Sequence, residues 1–128
     1  MSIATLVASA LILFSSGCAY FNTFYHAKKY HAKAVRIQEE SASDKLSSEA
    51  SRAYDEAIEK CVKVIVEYGG GWNAGIDDAL FLMGASYYGK RDYQIAIEKF
   101  GELMFNYPDS DHVPEALFYT GLCYHEMQ

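Results

Sequence analysis

The chain has 128 residues, 51% of them apolar, with a formal charge of −6 and only 2 prolines. That length holds one small domain and excludes a two-lobed enzyme with a cleft between domains. Its 11 Tyr and 7 Phe exclude a disordered chain and its 3 Cys a disulfide scaffold, while the acidic balance argues against nucleic acid, which needs clustered Lys and Arg.

Met1 to Gly17 carries no charge, and Ile3 to Phe14 is apolar except for Thr5 and Ser9. The run is shorter than the roughly 20 residues of a spanning helix and suits the apolar region of a secretory signal over 1–17. Ser15, Ser16 and Gly17 lead into Cys18, a junction that resembles the bacterial lipobox, in which the cysteine is lipidated and becomes the new N-terminus. Ser15 stands where Leu is usual, and no Lys or Arg precedes the apolar run. Lys28, Lys29, Lys33 and Arg36 follow with no acidic residue among them, next to the expected anchor. From Ile37 onward 7 basic and 17 acidic residues leave −10.

Phe21, Phe24, Ala27, Tyr30, Ala34 and Ile37 recur every three or four residues and predict a helix from Tyr20 to about Ser41. Ser41 to Ser48 reads as a linker, with Ser47 or Ser48 as the next N-cap. A second helix follows through Ala50, Ala53, Tyr54, Ala57, Ile58, Cys61, Val64, Ile65 and Tyr68, and Gly69 to Gly71 stop it with a left-handed cap. Asp77 and Asp78 favour a helix start at the positive end of the dipole. The face Ile76, Ala79, Leu80, Met83, Gly84, Tyr87 belongs to that third helix, and Tyr93, Ala96, Ile97, Phe100, Leu103, Met104 to a fourth. Tyr107-Pro108-Asp109-Ser110 closes the fourth, and Val113 to Gln128 begins a fifth. No alternating strand pattern occurs, so the expected class is all-α.

With Asp77 as position 1 of a 34-residue unit, Gly84, Tyr87, Ala96, Phe100 and Pro108 fall on signature positions of the tetratricopeptide repeat. Gly84 and Ala96 are small where the two helices cross, Tyr87 and Phe100 fill the space between, and Pro108 ends the second helix. Residues 116–124 copy 79–87 at an offset of 37, so that Gly121 and Tyr124 repeat Gly84 and Tyr87. Upstream, Tyr54, Ala57 and Cys61 echo Tyr93, Ala96 and Phe100. Residues 18–128 therefore read as about two and a half repeats, expected to stack as a right-handed superhelix of antiparallel helix pairs. The chain ends inside a third repeat, which leads us to expect uncovered Leu117, Thr120, Gly121 and Tyr124 and a truncated C-terminus.

Taken together, Cys18-Ala-Tyr-Phe-Asn-Thr-Phe-Tyr after the signal and Asp78-Ala-Leu-Phe-Leu through Phe-Asn-Tyr-Pro-Asp-Ser110 resemble the BamD-like tetratricopeptide lipoproteins. The resemblance implies a lipid anchor at Cys18 in the bacterial outer membrane, facing the periplasm. It further implies a non-catalytic adaptor whose partners are proteins of the β-barrel assembly machine or unfolded barrel-protein peptides. Similar repeats also serve as envelope-constriction or secretin-pilot scaffolds, or as non-catalytic subunits presenting a peptidoglycan enzyme. In this repeat type the first helix of each pair lines a concave groove. The groove candidates are Asp78, Phe81, Tyr88, Glu115, Phe118 and His125, with Phe81, Tyr88 and Phe118 expected to be free of packing within the repeat. Trp72 is a further candidate contact.

Catalytic and metal chemistry is not visible in the sequence, and nothing in it calls for a cofactor. His26 and His31 are five apart and so on different helix faces, and His112 and His125 lack neighbours at ligand spacing. Cys61 and Cys123 are expected as buried free thiols. Asp77-Asp78 is explained by the helix start, and no nucleophile motif is present.

Overall fold

A computed structural model describes the backbone of residues 2–69 and 75–128, and the side chains of these apart from 6–17. The described residues form α1 (Ile3–Glu40), α2 (Ser48–Tyr68), α3 (Ile76–Gly89), α4 (Tyr93–Asn106) and α5 (Val113–Glu126), with no strand among them. α1 starts earlier than the expected Tyr20 and runs through Cys18 without a break. Residues 3–19 hold one glycine and no proline, so nothing local opposes that helix. Among the described residues no helix is long and apolar enough to cross a membrane.

Ser47 caps α2, its hydroxyl accepting from the Ala50 N–H at 3.1 Å. Gly69 keeps a right-handed φ of −69°, and its N–H still bonds to the Ile65 carbonyl. Gly70, Gly71 and Trp72 lie outside the described residues. Among the described residues the left-handed glycine is Gly75, φ 88°, at the entry to α3. A Cβ there would fall on the Tyr20 hydroxyl, so α1 and the α3 entry approach closely only because residue 75 lacks a side chain.

Ring contacts give the helix directions. Tyr20 meets Tyr68 and His31 meets Tyr54, so α1 and α2 are antiparallel. Tyr88 meets Tyr93 and Gly84 lies against Phe100, so α3 and α4 are antiparallel as well. The first helices of successive pairs run parallel. His31 bonds to Ser86 between α1 and α3, and Phe81 stacks on His112 and Tyr88 meets Tyr119 between α3 and α5. Ala27 and Ala34, fully buried, let α1 approach its neighbours closely. Lys90 ties α2 to the α3–α4 turn, its ammonium 2.6 Å from Asp55 and 3.5 Å from Asp92.

Among the described residues the largest fully buried side chain is Phe100. A Cβ on Gly84 would stand 2.6 Å from its ring, and Phe81 and Tyr119 pack on it from two further sides. Ala96, Leu103 and Cys61 complete this core at zero exposure. Tyr87 is half-buried against it, and Pro108 stands exposed just beyond the end of α4. α5 copies the sequence of α3 without its cover. Leu117 is 62% exposed and Tyr124 54%, whereas Leu80 is 4% exposed. Thr120 is half-buried and its hydroxyl donates to the Ala116 carbonyl. Around an added Cβ at Gly121 there is nothing within 4 Å.

The two equivalent glycines should therefore respond oppositely. Gly84→Leu overpacks a ring that has nowhere to move and should destabilise by about 1–3 kcal/mol. Gly121→Ala enters open space and should stabilise by up to about 1 kcal/mol through helix propensity alone. Urea denaturation of both variants checks the pair, and equal responses would contradict the repeat register.

Candidate peptide-binding groove

The three parallel helices α1, α3 and α5 face a cleft of about 450 Å³. Tyr54, Tyr88, Tyr93 and Tyr119 line it, with Asp44, Arg91 and Glu126 supplying charge. Tyr88 lies edge-on to Tyr119 at 5.1 Å and tilted to Tyr93 at 5.7 Å. Burial raises the pKa of all four phenols, joined at Tyr54 by the neighbouring Tyr119 and at Tyr88, Tyr93 and Tyr119 by acidic side chains. The phenols stay neutral at physiological pH and offer hydroxyls as donors and acceptors above apolar rings. Arg91 sits in the left-handed region, φ 67°, in the α3–α4 turn, and its guanidinium donates to the Asp44 carbonyl of the α1–α2 linker.

On the α1 side of this cleft His31 joins α1 to α3. The Ser86 hydroxyl is fully buried and donates to the Leu82 carbonyl at 2.8 Å, so it accepts from His31 Nδ1–H at 2.9 Å. Ser86 is thus spent on packing and has no exposed oxygen for nucleophilic chemistry. Burial pulls the His31 pKa below its ordinary 6.5.

Of the six groove candidates, the structure places Tyr88 in the cleft. Phe81 packs rather than standing free: it stacks on His112 at 4.5 Å and lies 5.9 Å from Phe100. Tyr88 likewise packs on neighbouring rings, but it keeps a face on the cleft. Asp78 accepts from His112 Nε2–H at 2.7 Å, and Asp77 accepts from the Ser110 hydroxyl at 2.6 Å. The loop before α5 thereby clasps the first turn of α3, a role beyond the helix-dipole effect. Glu115, Phe118 and His125 are exposed on α5, and Phe118, 63% exposed, touches Tyr119 edge-on. Sequence reasoning missed Tyr119, Arg91 and His31 as groove residues, while the groove positions of the repeat do include Ala85, Gly89 and Glu126, which line the cleft. Tyr54 and Tyr93 had a signal, because they share one repeat position and both line the cleft.

Cys18 is exposed, and Cys61 and Cys123 are buried, all as free thiols. Burial pushes the Cys61 thiol up to about 12 and raises that of Cys123, so neither is a ready nucleophile. Among the described residues no group of three or more His, Cys, Asp or Glu is placed to hold a metal.

Antiparallel helix pairs, stacked so that their first helices align along one cleft, define a helical repeat protein of the kind that binds other proteins. Residues 78–110 match the family model described as Tetratricopeptide repeat, which covers most of α3, the turn after it and α4. No curated protein and no solved structure matches the chain.

His31 sets a pH dependence. Its folded pKa lies below its unfolded value, so the unfolded chain takes up the proton more readily. The stability from neutral His31 is fully present above about pH 6.5 and is lost as pH falls through the folded pKa. Thermal melts from pH 7.5 to 5 should show this loss, and His31→Gln should flatten it. An unchanged slope in the variant would show that other groups carry the acid sensitivity.

Proposed function

We propose that this chain is a non-catalytic adaptor that holds an extended segment of a partner protein in the tyrosine-lined cleft, tethered to a membrane by lipid on Cys18. The observation that carries the reading is the convergence of Tyr54, Tyr88, Tyr93 and Tyr119 on one cleft beside Arg91 and Glu126. Rings with polar tips bury apolar side chains while their hydroxyls satisfy a peptide backbone, which suits an extended ligand. The rest of the reading comes from the junction at Cys18 and the resemblance to BamD-like lipoproteins. It puts the chain in the bacterial outer membrane, facing the periplasm, with its repeats wound as a right-handed superhelix. The partners are then proteins of the β-barrel assembly machine or unfolded barrel-protein peptides. Barrel strands alternate apolar and polar residues and carry aromatic girdles, a chemistry that such a cleft accommodates.

The test combines binding and localisation. Tyr88→Ala with Arg91→Glu should weaken capture of a barrel-strand peptide about ten-fold or more, because a truncated aromatic anchor is typically worth at least 1–2 kcal/mol. Cys18→Ser should abolish fatty-acid labelling and release the chain from the envelope. Parent-like peptide binding in a variant that melts like the parent would overturn the groove, and persistent labelling of the serine variant would overturn the anchor.

A further inference from the structure

We infer that the outward face of α1 between Cys18 and Arg36 lies flat on an anionic bilayer, which makes it a second interaction surface, distinct from the tyrosine cleft. The inference rests on the reading that the chain is held at a membrane. It adds how the folded domain is oriented there.

Helical spacing puts Cys18, Phe21, Tyr25, Lys28, Ala32 and Arg36 on one side of α1, with Lys29 and Lys33 beside them. All eight are exposed, including the large rings of Phe21 (71%) and Tyr25 (58%). The opposite side of α1, through Ala27 and Ala34, is buried against the domain. This outward face therefore belongs to no internal interface. It extends over about 27 Å, given a rise of 1.5 Å per residue.

The order along the face matters. The lipid-junction cysteine and the two aromatic rings come first and the four cations follow, with no acidic residue before Glu39. Lys28 stands 5.1 Å over the Phe24 ring, and no ion pair reaches Lys28, Lys29 or Lys33 among the described residues. Among the described residues Arg36 pairs with Glu40, at 3.9 Å and with both side chains largely exposed. The neighbouring acids Glu49 and Glu56 of α2 flank one edge, beside Tyr30 and Lys33, and Arg52 stands between them. The rest of the chain, from Ile37 on, carries −10. A uniformly anionic surface would repel such a molecule in every orientation except the one that presents this face. Aromatic side chains at the head-group level with Lys and Arg among the phosphates are how interfacial helices sit. Each cation near an anionic surface favours docking about five-fold, so four favour it by roughly 10² to 10³.

The test uses the full chain in vesicles, with Trp72→Phe as background and a single tryptophan introduced as Ala32→Trp. In phosphatidylglycerol–phosphatidylcholine vesicles with brominated acyl chains, its emission should shift to the blue and be quenched. In phosphatidylcholine alone it should remain water-like. A tryptophan introduced as Val66→Trp, on the exposed side of α2, should stay unquenched in both. Replacing Lys28, Lys29, Lys33 and Arg36 with Gln should lower the docked-to-undocked ratio by the same roughly 10² to 10³ and abolish quenching at residue 32. Circular dichroism checks that this variant stays helical. Water-like emission at residue 32 in anionic vesicles, or quenching equal in both lipids, would overturn the inference. Because the chain is added to preformed vesicles and docking is read there directly, failure here is distinguishable from failure of Cys18 lipidation, which the labelling assay reads separately.

Discussion

The contact on which the architecture depends is the Phe100 ring seated against the bare backbone of Gly84. A ring at zero exposure cannot retreat, and a Cβ at residue 84 would lie 2.6 Å from it, so glycine sets the distance between α3 and α4. The same ring supports Phe81 of α3 and stacks on Tyr119 of α5 at 5.6 Å. One side chain thus fixes the spacing within a repeat and the step to the next. The first pair meets differently, with Cys61 at the position of Phe100 and small, buried Ala27 and Ala34 along α1. A smaller knob goes with smaller facing residues, and the stack continues.

The groove follows from this spacing. Tyr119 is held by Phe100 on one side and meets Tyr88 on the other, so the ring that builds the core also turns a phenol toward the cleft. Tyr54 reaches the same cleft from α2 because Gly89 is bare: a Cβ at residue 89 would fall on the Tyr54 ring. The His31–Ser86 bond and the Arg91–Asp44 bond close the arrangement from α1 and the linker after it. The four tyrosines give the cleft a neutral, hydroxyl-tipped aromatic surface, which suits the binding of another protein.

Much of the fold was legible because its causes are local. Apolar residues every three or four positions marked α2 to α5, the choice of Ser47 or Ser48 marked the cap of α2, and the run Gly84, Ala96, Phe100, Pro108 marked one repeat with its register. The rest depends on partners far apart in sequence. Phe81 looked like a free aromatic at a groove position, yet His112, thirty-one residues later, covers it. Asp77 and Asp78 read as dipole partners, while their bonds to Ser110 and His112 join two repeats. Gly75 carried no such signal: its positive φ answers a need for room beside Tyr20 and not helix termination. Periodicity reports which face a residue occupies. It does not report which neighbour fills the space beyond.

The central claim is that the Gly84–Phe100 contact couples the repeats into one cooperative stack. Native-state hydrogen exchange on Phe100→Leu tests it most directly. The smaller side chain leaves Gly84, Phe81 and Tyr119 without their common support. Protection should then fall together in α3, α4 and α5, while α1 and the first half of α2 change little. Loss confined to α4, with α5 amides as protected as in the parent, would contradict the coupling and the account built on it.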